Sequence, residues 1–221
     1  MNMIHLKETD STNDYLKLRG NDFGDRAVVI ADKQTGGRGR MNRTFISEPG
    51  GLYMSVLIKP FKTELLTVLI GVSAADTIAA VGADPKIKWV NDIFCEGKKV
   101  CGILCESCGN YAVAGIGINI TNGNLPETAA SLFELYGISI RPFELAELIW
   151  NKINEYLISS DEKSIIERYR RYSYILGKRI TFGTGGEGVA ADILDNGNLA
   201  VKKDNGDLVI LNYGEVSIKL K

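Results

Sequence analysis

Apolar and polar positions along the chain follow two different periods, which predict strands and helices in turn. Continuous or alternating apolar runs typical of buried and half-buried strands lie at 26–31, 52–58, 86–89, 99–106 and 111–120. Apolar positions at helical spacing predict helices at 63–81, 143–158 and 162–174, and a short helix at 11–18 that Ser11 can cap. This mixture predicts an α+β fold in which a mixed β-sheet is flanked by helices.

The pattern changes after Gly177. Residues 179–220 contain short apolar runs separated by glycine-rich turns, among them Asn196-Gly197 and Asn205-Gly206, which are hairpin signals. A segment of this size is marginally stable alone, so we expect a small SH3-like β-barrel that docks on the rest of the chain. The predicted organisation is a larger domain at 1–176 and a C-terminal domain at 177–221.

Composition narrows the class of protein. The chain of 221 residues is 45% hydrophobic, which is enough for a core, and its formal net charge of -1 disfavours nucleic acid as a partner. We find neither an apolar stretch long enough for a bilayer nor a signal peptide, and therefore expect the cytoplasm. The cysteines, which lack the paired spacing of a zinc site, are predicted to be reduced thiols: Cys95, Cys101, Cys105 and Cys108.

The segment 33–45 carries the strongest chemical signal. It places three glycines and three arginines within 36–43, shortly after the apolar run at 27–31. Such a segment cannot bury apolar area, and arginine makes planar, bidentate contacts with carboxylates and phosphates. We expect a mobile loop that closes over an anionic ligand; a solvated basic loop is the alternative interpretation.

Further polar residues occur at and between the predicted strands. Lys88-Trp89-Val90-Asn91-Asp92 follows a short strand, where α/β sheets tend to place ligands, although Asn-Asp is also common in turns. Gly115-Ile116-Gly117 interrupts an apolar strand, which indicates the close approach of a ligand or of another backbone. Lys99 begins a strand, and a lysine there is more often a solvated edge residue.

Six segments in this order and spacing resemble the biotin protein ligase family almost from end to end. They are Ser11-Thr12-Asn13, Gln34 with Gly37-Arg38-Gly39-Arg40, Lys88-Trp89-Val90-Asn91-Asp92, Lys99 with Gly102-Ile103-Leu104, Gly115-Ile116-Gly117-Ile118-Asn119 and Gly214-Glu215-Val216-Ser217-Ile218-Lys219. The resemblance implies a catalytic domain of the type shared with class II aminoacyl-tRNA synthetases, and a homodimer.

The resemblance also implies a biotin–[acetyl-CoA-carboxylase] ligase reaction in two steps. The carboxylate of biotin attacks the α-phosphate of ATP and gives biotinyl-5′-AMP and pyrophosphate, with Mg²⁺ as the metal. A lysine of a biotin carboxyl carrier protein, from acetyl-CoA carboxylase or a related carboxylase, then attacks the activated carbonyl and releases AMP. Positioning by cations would supply most of this catalysis, with no need for a protein nucleophile.

Residue roles carried over from the resemblance form three groups. Lys99, Arg38 and Arg40 would be catalytic and stabilise charge on the carboxylate and the α-phosphate. The biotin site would contain Ser11, Thr12, Asn13, Gln34, Gly37, Arg38, Arg40, Lys99 and Gly102. The ATP site would contain Arg40, Arg43, Phe45, Lys88, Trp89, Asn91, Asn119 and Lys219, with Asp92 as a ligand of Mg²⁺.

The chain departs from the family pattern at Met41-Asn42, where Arg-Gly is common, at Phe45, where Trp is frequent, and at Val90, where proline is usual.

Because the first motif begins at Ser11, we expect a short form without an N-terminal DNA-binding domain. Two alternatives stay open. A lipoate–protein ligase shares the core fold and the adenylation chemistry, and a non-catalytic biotin sensor would bind without turnover.

Overall fold

The computed structural model describes residues 3–59, 65–159, 161–212, 214 and 216–218. In this part of the chain seven strands form the main sheet, in the spatial order β1-β2-β3-β7-β6-β5-β4. The strands are β1 (Met3–Thr9), β2 (Arg26–Gln34), β3 (Gly51–Ile58), β4 (Lys86–Lys88), β5 (Asp92–Cys95), β6 (Lys98–Cys108) and β7 (Tyr111–Asn119). Only β1 and β2 pair in parallel among these strands, so the sheet is mixed and the predicted fold class is confirmed.

The edge strand β1 is absent from the predicted strands. Ile4 and Leu6 are partly buried and pack on the core, whereas His5, Lys7 and Glu8 are exposed. Only Met3, Ile4 and Leu6 are apolar in this half-exposed edge strand, so its alternation is too short to stand out.

Five α-helices accompany the sheet in the described residues: α1 (Thr12–Arg19), α2 (Leu66–Ala80), α3 (Leu132–Tyr136), α4 (Pro142–Ser159) and α5 (Glu162–Tyr172). Ser11 caps α1 as expected, because its side chain accepts the N–H of Asp14. The helix α3 is not among the predicted elements, since five residues are too few to display a helical period. None of the described helices combines the length and the apolar character needed to cross a membrane.

The two faces of the main sheet are covered differently. Val28 and its neighbours on one face pack with α2, which in turn lies against α4 and α5. Val29, the next residue, belongs to the opposite face, where it packs with Leu16 of α1. Neighbouring strand residues point to opposite faces, and an apolar run such as 27–31 therefore indicates a strand buried on both. The short helix α1 leaves part of its face uncovered, and that is where the candidate site lies.

The described residues after Gly177 form a separate antiparallel sheet of five strands in the order β11-β10-β9-β8-β12. Its strands are β8 (Arg179–Phe182), β9 (Gly186–Ile193), β10 (Leu199–Lys202), β11 (Leu208–Leu211) and β12 (Val216–Ile218). The indole Nε1 of Trp89 donates to the carbonyl of Gly197 at 3.0 Å, and Arg170 of α5 pairs with Asp192 at 3.1 Å. These contacts hold the small all-β unit against the rest of the described chain.

Candidate active site

A cavity of about 380 Å³ opens on the face of the main sheet beside α1. Its walls come from α1, the loop that follows β2, the β4–β5 turn, the centres of β6 and β7, and the segment around β12. This volume lies in the range of small-molecule and cofactor sites. The chain thus brings together segments that are far apart in sequence.

Most of the predicted site residues line this cavity. They are Ser11, Thr12, Asn13, Gln34, Arg38, Arg40, Arg43, Phe45, Lys88, Trp89, Asn91, Asp92, Lys99 and Gly102. The cavity does not include Gly37 or Asn119. Lys219 lies outside the described residues, so its predicted contact with ATP phosphates has no structural counterpart here.

Gly37 and Asn119 have structural surroundings of their own. A Cβ atom on Gly37 would lie 2.4 Å from the carbonyl oxygen of Phe45, so this glycine lets two parts of the loop pack together. The buried side chain of Asn119 donates to the carbonyl of Ala130 at 3.3 Å and accepts from Asn122 at 3.1 Å. Neither residue is part of the cavity lining, and their ligand roles stay predictions.

One end of the cavity is lined by hydroxyl and amide groups. The N–H of Thr12 donates to Oε1 of Gln34 at 2.8 Å, and Nε2 of Gln34 donates to Oγ of Ser47 at 2.9 Å. The orientation of the Gln34 amide is therefore fixed on both sides. Thr12 is the first residue of α1 and Gln34 the last of β2, so the start of a helix and the end of a strand build this end together.

Ser55, in the middle of β3, anchors the same end from below and is fully buried. Its Oγ lies 2.7 Å from Oγ1 of Thr12 and 2.6 Å from Oδ1 of Asn13. Nδ2 of Asn13 in turn donates to Oε2 of Glu106 at 2.8 Å. Because the amide oxygen of Asn13 can only accept, the Ser55 hydroxyl donates to it, and Oγ1 of Thr12 donates to Oε1 of Gln34 at 3.0 Å. These side chains are held in one orientation before any ligand binds.

The centre of the cavity floor is a pair of glycines facing each other across β6 and β7. Gly102 and Gly117 are register partners, and Cβ atoms there would lie 3.0 and 2.5 Å from the ring of Phe45. The ring rests on this bare backbone, and Tyr53 meets it edge-on at 6.4 Å between centroids. Close approach was predicted at Gly115 and Gly117: the Phe45 ring lies against Gly117, and a Cβ atom on Gly115 would lie 2.3 Å from Oδ1 of Asn13.

The opposite end of the cavity is cationic. Nζ of Lys99 lies 2.8 Å from Oδ1 of Asp92, and Nη1 of Arg40 donates to Oδ1 of Asn91 at 3.0 Å. Nδ2 of Asn91 donates to the carbonyl of Ile103 at 3.0 Å, which fixes the amide between the β4–β5 turn and β6. Lys99 is about two-thirds buried, so it is not the solvated edge residue that its position alone suggested. A carboxylate or phosphate here would face two cations.

The glycine- and arginine-rich loop folds across the mouth of the cavity. Its backbone is pinned where the N–H of Gly36 donates to the carbonyl of Asp10 at 2.8 Å, and where Gly39 donates to Arg43 at 2.7 Å. Arg38 reaches Asp14 of α1 at 2.9 Å. The exposed Met41 adopts a left-handed φ of 55°, a conformation that glycine or asparagine adopts more easily.

The oxygen ligands on the cavity wall suit Mg²⁺ only if a nucleotide supplies further ligands. Among the described residues no cluster of three or more His, Cys, Asp or Glu side chains could hold a metal. Asp92 is the one carboxylate on the described cavity wall, and Asn91 adds an amide oxygen. Mg²⁺ in nucleotide sites is commonly bound by one or two carboxylates together with substrate phosphates. These residues fit an ion held mainly by a nucleotide.

Some residues of the cavity wall, and the buried Ser55 that supports the wall through Thr12 and Asn13, were not among the predicted site residues. Ser55 is a serine within the otherwise apolar run of β3, and a polar residue inside a buried strand is a usable signal. The described residues Gly214, Val216 and Ser217 bring the C-terminal sheet to the cavity. The family resemblance of the segment 214–219 pointed to this part of the chain, but the periodicity of the residues did not, because the contribution depends on how the two sheets dock.

Comparison with known proteins agrees with this geometry. Residues 6–122 match the Biotin/lipoate A/B protein ligase family. A biotin protein ligase from Aquifex aeolicus in complex with biotin and ATP superposes with a TM-score of 0.87 at 30% identity, covering 100% of this chain and 99% of that one. The Biotin--[acetyl-CoA-carboxylase] ligase of Mycobacterium tuberculosis is 29% identical over 241 residues, which cover 96% of this chain and 86% of that protein.

The Bifunctional ligase/repressor BirA of Bacillus spizizenii is 38% identical over 141 residues, which cover 56% of this chain and 43% of that protein. The match therefore spans less than half of that relative's length. The fold and the site define a ligand-binding α+β domain with a polar end and a cationic end. The chain belongs to the Biotin/lipoate A/B protein ligase family.

Proposed function

We propose that the protein is a biotin–protein ligase, which activates biotin with ATP and transfers it to a lysine of a biotin carboxyl carrier domain. The observation that carries this proposal is the two-ended cavity. Its hydroxyl and amide end suits the uncharged, hydrogen-bonding ring of biotin, and its cationic end suits a carboxylate beside a phosphate. The similar protein from Aquifex aeolicus binds biotin and ATP, which supports the same pair of ligands here.

In the proposed first step, Lys99 and Arg40 hold the biotin carboxylate against the α-phosphate of ATP. Two anions repel each other, so the main work of the site is to neutralise and align them. Asp92 keeps the Lys99 ammonium in place at 2.8 Å, and Asn91 does the same for the Arg40 guanidinium at 3.0 Å. An attacking carboxylate has no proton to lose, so this step requires no general base.

The remaining wall residues have proposed supporting roles. Ser11, Thr12, Asn13 and Gln34 orient the biotin ring, and Phe45 offers an aromatic face to the nucleotide. Asp92 and Asn91 would hold Mg²⁺ together with the ATP phosphates, where the ion would supply charge neutralisation as pyrophosphate leaves. Lys88, Arg43 and the C-terminal segment lie on the nucleotide side in this assignment.

In the second step an uncharged lysine amine of the carrier domain attacks the carbonyl of the acyl-adenylate. Negative charge then develops on the carbonyl oxygen, and Lys99 and Arg38 are the cations proposed to stabilise it before AMP departs. The loop that carries Arg38 also shields the mixed anhydride from water until the amine arrives. We propose that biotin or its adenylate increases the order of this loop.

We further propose a homodimer, the cytoplasm as compartment and no nucleic-acid partner. The described cysteines are all free, as a reducing compartment permits. The net charge of -1 gives no electrostatic footprint for nucleic acid.

The transfer step tests the proposed function. The protein is incubated with biotin, Mg²⁺ and ATP, and with a carrier domain whose acceptor lysine is intact or replaced by arginine. We expect a mass increase of one biotinyl group on the intact carrier alone. Labelling of both carriers at equal rates would mean free release of the adenylate, and labelling of neither would contradict the proposal.

A further inference from the structure

An ion pair ties the loop over the cavity to α1. Nη2 of Arg38 lies 2.9 Å from Oδ2 of Asp14. Arg38 lines the cavity, whereas Asp14 lies behind it in the first turn of α1. The guanidinium therefore stands between a protein carboxylate and the space for a ligand.

The two members of this pair differ in how firmly they are held. The side chain of Asp14 is 14% exposed and that of Arg38 is 59% exposed. Oδ1 of Asp14 is fixed by Lys17 at 2.8 Å, and Lys17 also pairs with Glu106 of β6 at 2.8 Å. A carboxylate in the first turn is further favoured by the helix dipole. Asp14 is therefore the more firmly held partner, and Arg38 is the less restrained one.

We propose that Asp14 is a positioning residue that holds Arg38 over the mouth of the cavity and so biases the loop toward its closed form. The expected effect on catalysis rests on the proposed function, whereas the contact between Asp14 and Arg38 is independent of it. A guanidinium has five donors on two edges, so it can stay on Asp14 while it also binds an anion in the cavity. Asp14 then orders the arginine without competing with the ligand.

Pre-closure by Asp14 has a defined effect on ligand binding. If only a fraction of molecules is closed, the apparent affinity for the ligand falls by that fraction, whereas saturating ligand still closes every molecule. Loss of the Asp14 charge should therefore raise KM for biotin and leave kcat nearly unchanged. Because Arg38 is more than half exposed, the effect should be modest and should weaken at high salt.

Hydrogen exchange of the free protein tests the contact directly. The reporters are the amides of Gly36, Gly39 and Phe45, which are bonded within or at the base of the loop. We expect Asp14→Asn to speed their exchange about two- to fivefold, as for an exposed ion pair. Asp22→Asn, which removes an exposed carboxylate just after α1, serves as the matched control and should leave them unchanged.

A second arm places Asp14→Asn in an Arg38→Gln background, where we expect no further increase in exchange because the partner is already gone. The inference would be overturned if Asp14→Asn increased the amide exchange rates equally with and without Arg38→Gln. It would also be overturned if Asp14→Asn alone did not increase them. Kinetics supply the other readout: KM for biotin in pyrophosphate exchange should rise about two- to fivefold with kcat changed by less than about twofold.

A fall in kcat with KM unchanged would contradict the pre-closure role. If the wild-type protein showed no biotin-dependent pyrophosphate exchange, the proposed function would be wrong. The comparison of amide hydrogen exchange in the Asp14 and Arg38 variants would still decide whether Asp14 holds the loop.

Discussion

The Nζ atom of Lys99 lies 2.8 Å from Oδ1 of Asp92, and both side chains are largely buried at the cationic end of the cavity. The contact joins the start of β6 to the start of β5, two strands paired by a tight hairpin. It makes Asp92 the positioning partner of Lys99, in addition to the Mg²⁺ role that the sequence suggested.

The pair leads to a prediction for Asp92→Asn, which keeps the shape of the side chain and removes its charge. We expect pyrophosphate exchange to fall about tenfold and to stay low at saturating Mg²⁺, because Lys99 loses its counter-ion whatever the metal concentration. Lys99→Met should cost more, about a hundredfold or above. Full recovery of Asp92→Asn at high Mg²⁺ would instead assign Asp92 to the metal alone.

The glycine floor under Phe45 leads to a second prediction. In Gly117→Ala the new Cβ would lie 2.5 Å from the Phe45 ring, which must leave its place. We expect KM for ATP to rise about tenfold or more if the ring faces the nucleotide, with a stability loss of only about 1 kcal/mol because a loop residue can move. Gly24→Ala, which meets nothing within 4 Å, is the matched control. Equal ATP kinetics in the two variants would remove Phe45 from the nucleotide site.

A third prediction concerns the buried carboxylate that joins α2 to α5. Asp76 accepts hydrogen bonds from Arg168 at 2.9 Å, from Tyr172 at 2.7 Å and from Tyr156. Burial by itself raises the pKa of Asp76, but these hydrogen bonds outweigh it and hold the pKa below its usual value. A lowered folded-state pKa gives stability that is present above the unfolded pKa of about 4 and lost as pH falls through the folded value.

We therefore expect Asp76→Asn to lower the free energy of unfolding by about 2–3 kcal/mol at pH 7, less than a fully buried pair because Arg168 is 43% exposed. The difference from the wild-type protein should shrink at pH 3. Urea unfolding at the two pH values measures both effects, with the exposed Asp84→Asn as control. A variant as stable as the control at pH 7 would contradict the prediction.

A fourth prediction concerns the cysteines. Burial raises the pKa of Cys95 to about 11 and that of Cys105 to about 12, and it raises the pKa of Cys101 further. The pKa of Cys108 is also raised, by a smaller amount. Since the thiolate is the nucleophile, iodoacetamide should label Cys108 first in the native protein, whereas all four should react alike in urea. Native labelling of Cys105 as fast as Cys108 would contradict this order.

Sequence patterns predicted the parts of this molecule that local chemistry determines. Apolar periodicity predicted the strand at 111–120, and the hydroxyl of Ser11 predicted a helix cap. The glycine-rich turns predicted a series of short strands after Gly177. Each of these features is present in the structure. The arginine and glycine content of the loop predicts that it binds an anion, and this role stays a prediction.

Relationships across the fold were not predictable in the same way. Nothing local indicates that Phe45 rests on Gly117, or that Arg38 meets Asp14, because both contacts depend on how distant segments dock. Ser55 could have been found as a polar residue in an apolar run, but its partners could not. Lys99 shows the limit most clearly, since strand position suggested an exposed residue and the tertiary fold buries it beside Asp92.

The most direct test of biotin activation is ATP–pyrophosphate exchange with Mg²⁺, run with biotin in one reaction and lipoate in another. We predict exchange with biotin and none with lipoate, and loss of the biotin signal in Lys99→Met. Exchange with lipoate alone would move the protein to the other branch of its family. Tight biotin binding without exchange would contradict the ligase proposal and favour a sensor.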